Sequence, residues 1–369
     1  MNTKMMRGFA AVAGLAAAGL VLAGCGAAPG TTPTESGSTA APTTDFLACA
    51  VSDEGNFKDK SFNEAAYEGL QRAGSELGVE TQGLESASMD AFEPNLTQLV
   101  DDGCGIIFAI GFNFSLGGTN GLIFDFADAH PDSKFAWLDG WPGGTKDNVK
   151  PIMYNTQESS YLAGYLAAAY STTKTIGTYG GLQIDSVTAF MDGYYYGAKA
   201  YEKDTGTPVT VLGWNPATAS GDFVGGFSDT TVAGSISDNQ IANGADVVFP
   251  VAGSLFTATA ESIRSSGKNV VLLGVDKDIA LTQPQLADIT LTSVEKKMTQ
   301  AVFDITKEAI DGKFSTDPYI GTLANDGTGL SPFYDFESKV PADIVAKLKE
   351  LTDQINSGQI TIELTKNPS

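Results

Sequence analysis

Phe46-Leu-Ala-Cys-Ala-Val-Ser-Asp-Glu-Gly-Asn-Phe-Lys-Asp-Lys-Ser-Phe-Asn63 is the stretch from which the fold can be read. Phe46 to Val51 is a short apolar run, the pattern of a central parallel strand buried on both faces. Asp53 to Lys60 is polar and carries Gly55, a turn residue. Ser61 followed by Glu64 fits the S-x-x-E capping box, so a helix is expected to start there. In an open α/β sheet, ligands bind in the crevice at the carboxyl ends of the strands. This loop lies at such an end and offers a carboxylate (Asp53), an aromatic (Phe62) and an amide (Asn63). An aromatic can stack on a flat ligand; a carboxylate and an amide can read its edge.

Downstream, Phe62, Ala65, Ala66, Leu70, Ala73 and Leu77 keep a helical spacing that Gly78 ends. Strands are expected at 79–83, 105–110 and 134–139, alternating with helices at 92–102 and 121–129. Such alternation means βαβ units and a parallel sheet. Asp139 falls at the end of the third of these strands. Residues 151–156 read as a crossing strand, and a second alternating series follows from a helix at 158–170 to a strand at 269–275. Ile289-Thr-Leu-Thr-Ser293 reads as another crossing strand, with a helix from Val294 returning to the first lobe. Gly312 to Phe336 reads as a β-rich excursion, and 341–356 as a last helix with Pro at its start. The expected fold class is α/β: two doubly wound, Rossmann-like lobes joined by a multi-strand hinge. The first lobe takes 46–155 with a return at about 294–315. The second takes 156–280 with a return at about 316–365.

Upstream, Lys4 and Arg7 precede an apolar run that ends in Leu22-Ala-Gly-Cys25. A basic start, an apolar core and small residues before a Cys make an export signal of the lipoprotein kind. Residues 1–24 would be removed and Cys25 would carry lipid on its thiol. Residues 25–45 are Gly, Ala, Pro, Ser and Thr with almost nothing large and apolar, so they are expected to be a flexible tether. The chain would then sit on the outer face of a cell membrane, held by its lipid alone.

The 369 residues carry a formal charge of −22. Without Lys4 and Arg7 the balance is 20 basic against 44 acidic residues, or −24. That excess argues against nucleic acid and anionic membrane surfaces as partners. One His (His130) and no Cys/His cluster argue against a zinc site, and no cofactor is expected. Cys49 and Cys104 fall on strands that neighbour each other in a 2-1-3 order. They are either a disulfide, permitted outside the cytoplasm, or two buried thiols.

Strand ends of the second lobe add candidates. Phe227 lies in Gly225-Gly-Phe-Ser-Asp229 before a helix, Gly253 in Phe249-Pro-Val-Ala-Gly-Ser254, and Asp276 in Gly274-Val-Asp-Lys-Asp278. Thr292-Ser-Val-Glu-Lys296 places a cation by a helix start, where it opposes the dipole and so serves another purpose. Each has a plainer reading as core, cap or solvated charge. Trp137 and Trp141 read as packing.

Taken in order, Asp59-Lys-Ser-Phe-Asn63, Ala66-Tyr-Glu-Gly69, Phe135-Ala-Trp-Leu-Asp139, Gln157-Glu-Ser-Ser-Tyr-Leu-Ala-Gly164, Gly244-Ala-Asp-Val-Val-Phe-Pro-Val-Ala-Gly253, Gly274-Val-Asp276 and Thr292-Ser-Val-Glu-Lys296 cover the folded region. With the lipobox, they make the chain resemble the basic-membrane-protein family, the purine nucleoside receptors of ABC transporters. The resemblance implies a type I periplasmic-binding-protein fold, a monomer, a membrane permease as partner and a bound guanosine, inosine or adenosine. It implies that Phe62 and Phe227 sandwich the base, that Asp53, Asn63 and Asp139 read its edge, and that Asp276, Lys296 and the backbone near Gly253 hold the ribose. The sequence departs from the family at Asn113-Phe-Ser-Leu-Gly-Gly118 and in the long, Gly-rich 214–226, so Phe223 or Trp214 could stand in for Phe227. The expected function is capture for uptake and not catalysis. The rivals are a sugar or autoinducer receptor of the same fold and, from another class, a nucleoside hydrolase.

Overall fold

The structure, a computed structural model, describes residues 45–140 and 146–367. The expected signal (1–24), Cys25, all but the last residue of the tether (25–45) and Trp141 lie outside the described residues. The first lobe is built from β1 (Leu47–Glu54), α1 (Phe62–Leu77), β2 (Glu80–Ser86), α2 (Phe92–Asp101), β3 (Ile106–Ile110), α3 (Leu122–Ala129), β4 (Phe135–Leu138) and β5 (Val149–Tyr154). The second lobe begins with α4 (Thr156–Tyr170), β6 (Thr175–Gly180), α5 (Asp185–Thr205), β7 (Thr210–Leu212) and the hairpin β8 (Trp214–Asn215)–β9 (Ser220–Gly221). It continues with α6 (Thr230–Ala242), β10 (Val247–Val251), α7 (Phe256–Ser266), β11 (Val271–Asp276), α8 (Ile279–Thr282) and β12 (Thr290–Lys296). The chain then returns to the first lobe with α9 (Met298–Ile310) and β13 (Tyr319–Gly321), and ends in the second with β14 (Thr328–Leu330) and α10 (Ala342–Asn356).

Among the described residues, each lobe has one six-stranded sheet. The first runs β2-β1-β3-β4-β5-β13 and is parallel throughout. The second runs β7-β6-β10-β11-β12-β14, with only β14 antiparallel. β3 (Ile106-Ile-Phe-Ala-Ile110) and β10 (Val247-Val-Phe-Pro-Val251) are apolar and buried at every position because both faces of the sheet are covered. Ala48, Ala50, Ile106 and Phe108 pack toward Leu70 of α1 and Val302 of α9. Their neighbours Cys49, Val51, Ile107 and Ala109 pack toward Leu96 of α2 and Phe126 of α3. Burying one such large side chain contributes about 1.5–3 kcal/mol.

Among the described residues, three segments cross between lobes: at Asn155, at Lys297 and between Gly321 and Thr328. They lie side by side. Asn155 N–H donates to the Gly321 carbonyl (2.8 Å) and Lys297 N–H to the Gly327 carbonyl (2.9 Å). Short parallel connections of this kind are where a hinge would turn.

Several expectations change. Ser61 and Glu64 do not form a capping box. Asp59 caps α1 instead, accepting the N–H groups of Ser61 (2.9 Å), Asn63 (3.0 Å) and Glu64 (3.0 Å). The Ser61 hydroxyl is drawn away to the other lobe. Residues 289–293 do not cross. Thr290–Lys296 is a full strand of the second sheet, and the returning helix starts at Met298, not Val294. The second sheet therefore extends to 296, beyond the expected 280. The return to the first sheet also ends later than 315, because β13 pairs with β5. The expected β-rich excursion shrinks to β13 and β14, three residues each and one to each sheet. Cys49 and Cys104 are joined as a disulfide, their Cα atoms 5.9 Å apart.

Candidate functional site

A cleft of about 500 Å³ opens between the lobes. All eight candidate residues border it. Asp53, Phe62, Asn63 and Asp139 come from the first lobe; Phe227, Gly253, Asp276 and Lys296 come from the second. They share it because each stands at or just beyond the carboxyl end of a strand or at a helix start.

Asp53 follows the buried part of β1. Its carboxylate lies against Gly111, where a Cβ would come within 1.9 Å of Oδ2, and Gly111 has φ +123°, so the site requires glycine on both counts. Burial pushes the Asp53 carboxyl well up; the backbone N–H of Asn113 pulls it partly back. Asn63 is buried. Its Nδ2 donates to Asp59 (3.2 Å), but its Oδ1 has no partner among the described residues. A buried amide oxygen left unpaired costs about 1–3 kcal/mol unless a ligand fills it.

Lys296, at the end of β12, points into a cage of rings. Its ammonium lies 5.1 Å from the centre of Phe62, 5.3 Å from Phe190 and 5.8 Å from Tyr154. It donates to Asp139 Oδ2 at 2.5 Å, joining the lobes. Asp276 accepts from the Ser61 hydroxyl of the other lobe at 2.6 Å. Asp276 does not pair with Lys277, which turns toward α1. Asp139 and Asp276 both hold positive φ, +57° and +65°. Each such non-glycine residue costs of order 1–3 kcal/mol, and strain of this kind gathers at ligand sites.

Phe227 closes the second lobe's side. The chain from Val224 to Gly226 is pinned to Gly180 and Gly181 by backbone hydrogen bonds of 2.9–3.1 Å. A Cβ on Gly181 would come within 2.3 Å of the Phe227 ring, so the absence of a side chain seats the ring. Neither Phe223 nor Trp214 borders the cleft. Trp214 is buried, with its indole N–H on Asp192 at 2.8 Å, and Phe223 packs edge-on against it. Trp137 is also packing, donating to the Gly111 carbonyl at 2.9 Å.

The structure adds groups that the sequence reading passed over. Ile184, Ser186, Val187 and Phe190, around the start of α5, border the cleft, as do Asn113, Ser254 and Thr257. Phe190 sits inside an apolar helical pattern and reads as core, which it also is. Asn113 carried a signal, since it opens the segment that departs from the family pattern. His130, the only His, is not on the cleft; it stacks on Phe126. Among the described residues, no group of three or more His, Cys, Asp or Glu could hold a metal ion, and no helix is long and apolar enough to cross a membrane. Carboxylates, an amide, hydroxyls and aromatic rings with one caged ammonium suit hydrogen bonding and stacking. They supply no paired nucleophile and base.

Asp276 also predicts a pH dependence. Burial raises its pKa to about 6 from 3.8, opposed by Lys296 and Ser61 and helped by Asp139 and Asp59. The folded state therefore holds this proton more tightly than the unfolded state does. The resulting stability is full below the unfolded value and is lost as the pH rises through about 6. Between pH 4 and 7, thermal melts of ligand-free Asp276→Asn should lose less stability with rising pH than those of the wild type. Parallel curves would refute the assignment.

The profile of a family described as "ABC transporter substrate-binding protein PnrA-like" matches residues 46–328. An uncharacterized lipoprotein of Pyrococcus abyssi is 30% identical over 314 residues, covering 81% of this chain and 72% of its own. The ABC transporter nucleoside-binding protein BmpA of Lactococcus lactis is 31% identical over 359 residues, covering 93% of this chain and 94% of its own. Among solved structures, an ABC transporter solute-binding protein of Aeropyrum pernix superposes with a TM-score of 0.77 at 23% identity, covering 87% of this chain and 94% of its own. That likeness bears on the fold, which is the two-lobed architecture of solute-binding proteins.

Proposed function

Since the chain belongs to the PnrA-like family of ABC transporter substrate-binding proteins, which are not enzymes, we propose that its cleft captures a purine nucleoside and hands it to a membrane permease. The observation that carries this reading is that one aromatic from each lobe, Phe62 and Phe227, borders a cleft where the Oδ1 of buried Asn63 has no partner among the described residues. A flat base between two rings gains stacking energy when the lobes close. Asp53, Asn63 and Asp139 would read its edge; Asp276, Lys296 and the backbone at Gly253 would hold the ribose. About 500 Å³ is within the range for small-molecule sites. The name of the Lactococcus relative supports a nucleoside as the ligand.

The same reading places the protein outside the cytoplasm as a monomer, tethered to the membrane by lipid on Cys25. The Pyrococcus relative is called a lipoprotein, which supports the anchor. The lobes as divided by their sheets, about 46–155 with 298–321 and about 156–296 with 322–367, would be the two halves of the clamp.

The test is calorimetric titration of the protein, purified without added ligand, with guanosine, inosine, adenosine, uridine and ribose. Tight binding of a purine nucleoside is expected, weakened at least about fivefold in Phe62→Ala, since one stacked base contributes about 1–3 kcal/mol. Binding of ribose alone would replace this reading with that of a sugar receptor.

A further inference from the structure

The segment that follows α10 is laid along the second lobe. Ile360 and Ile362 pack onto its core. Thr365 then reaches Asp192 of α5: its N–H donates to Oδ2 at 2.6 Å and its hydroxyl to Oδ1 at 2.7 Å. Two residues on, Asn367 Nδ2 donates to Asp185 Oδ1 and to the Thr188 hydroxyl, both at 2.7 Å, in the first turn of the same helix. Asp192 is wholly buried and also holds the indole N–H of Trp214, at the head of the β8–β9 hairpin. One carboxylate thus joins three segments of the second lobe. Asp192, Trp214, Thr365 and Asn367 do not border the cleft. Two of the three segments nevertheless run on into its wall, α5 with Ser186, Val187 and Phe190, and the chain beyond the hairpin with Phe227.

We propose that residues 360–367 are a strap that positions Phe190 and Phe227 through Asp192, so that the grip of the cleft depends on residues that never touch its ligand. The physical argument concerns what removing the strap would leave. α5 starts after Ile184 with no side-chain cap on its free N–H groups, so its first turn is held from outside, by Asn367. Asp192 would keep only the bond from Trp214, and a buried charge is tolerated only when it is well bonded. Water entering in the strap's place would compete for that last bond. The bond fixes Trp214, Trp214 packs edge-on against Phe223, and Phe223 leads into the run pinned to Gly180 and Gly181 that seats Phe227. Loosening therefore spreads from Asp192 along both segments to the wall of the cleft. Every contact in the chain lies within one lobe, so it holds however far apart the lobes stand.

Hydrogen–deuterium exchange of the protein without ligand reads the effect. Ending the chain after Glu363 should speed amide exchange at 185–192 and 222–227 roughly tenfold, the scale of a lost bond to a charged group, and leave β3 of the first lobe at its own rate. Thr365→Val, which loses the hydroxyl and keeps the N–H, should give a smaller rise in the same two stretches and should fold even if the shortened chain does not. Thr365→Ser, which keeps both donors, should match the wild type. The second arm rests on the nucleoside reading above: titration with guanosine, inosine and adenosine should show Kd raised roughly tenfold in the shortened chain and unchanged in Thr365→Ser. Wild-type exchange at 185–192 and 222–227 in both the shortened chain and Thr365→Val, or a rise spread equally over both lobes, would overturn the proposal. So would an unaltered Kd in a shortened chain whose melting temperature has dropped, since the strap would then hold the lobe and not the cleft. If no nucleoside binds the wild type, the nucleoside reading fails and the exchange alone decides.

Discussion

Lys296→Met should lower the free energy of unfolding by about 3–5 kcal/mol, the cost of leaving one member of a buried ion pair alone. Lys296 is 4% exposed and Asp139 11%, and they meet at 2.5 Å. Methionine would fill the ring cage of Phe62, Phe190 and Tyr154 well enough, so lost packing is a small part of the effect. The large part is electrostatic. Asp139 would remain in a cleft with Asp53 and Asp276 and without its cation. The double variant Lys296→Met with Asp139→Asn should therefore recover most of the loss, which no packing explanation predicts. Urea unfolding of the two singles and the double makes the cycle. If Lys296→Met alone costs less than about 1 kcal/mol, the pair is a surface-like bridge and this account of the cleft is wrong. Ligand affinity should fall in the single variant too, because Lys296 joins the lobes as well as facing the cavity.

The parts legible in the sequence were those set by local pattern. Ile106–Ile110 announces a strand covered on both faces, and Leu70 and Ala73 announce the buried face of a helix. Strand ends follow from strands, so Asp53, Asp139 and Asp276 could be placed on a crevice before their contacts were known. What stayed hidden was decided at long range. Asp59 and Ser61 both look like caps for α1; Ser61 is released from that duty by a hydrogen bond to Asp276. Thr290-Leu-Thr-Ser-Val-Glu-Lys296 has only two apolar residues among seven, Leu291 and Val294, and so looks like a half-exposed crossing strand. It is nevertheless almost wholly buried, because Thr292 and Ser293 find partners in Ser331 and the backbone of Ile279. Phe190 shows the same limit for the site: one ring serves both the core and the cleft, and the helical pattern reports only the first.

Reduction of the Cys49–Cys104 bond, or Cys104→Ser, should cost about 4 kcal/mol by the loop-closure relation for residues this far apart, separated by 55 in sequence. The bond ties wholly buried Cys49 in β1 to the residue that leads into β3, at the centre of the first sheet. Unfolding it releases the whole of β2 and α2, which lie between the two cysteines. The check is urea unfolding with and without a thiol reductant, repeated on Cys104→Ser. The wild type should lose stability on reduction, and the variant should start low and stay there. A midpoint that does not respond to reductant in the wild type would mean that the first lobe stands on its packing alone. A reducing compartment would remove the bond, so a stability that depends on it also fits the extracytoplasmic placement proposed above. The thiol state of protein recovered from cells, by alkylation before lysis, connects the two: Cys49 and Cys104 should escape alkylation until a reductant is added.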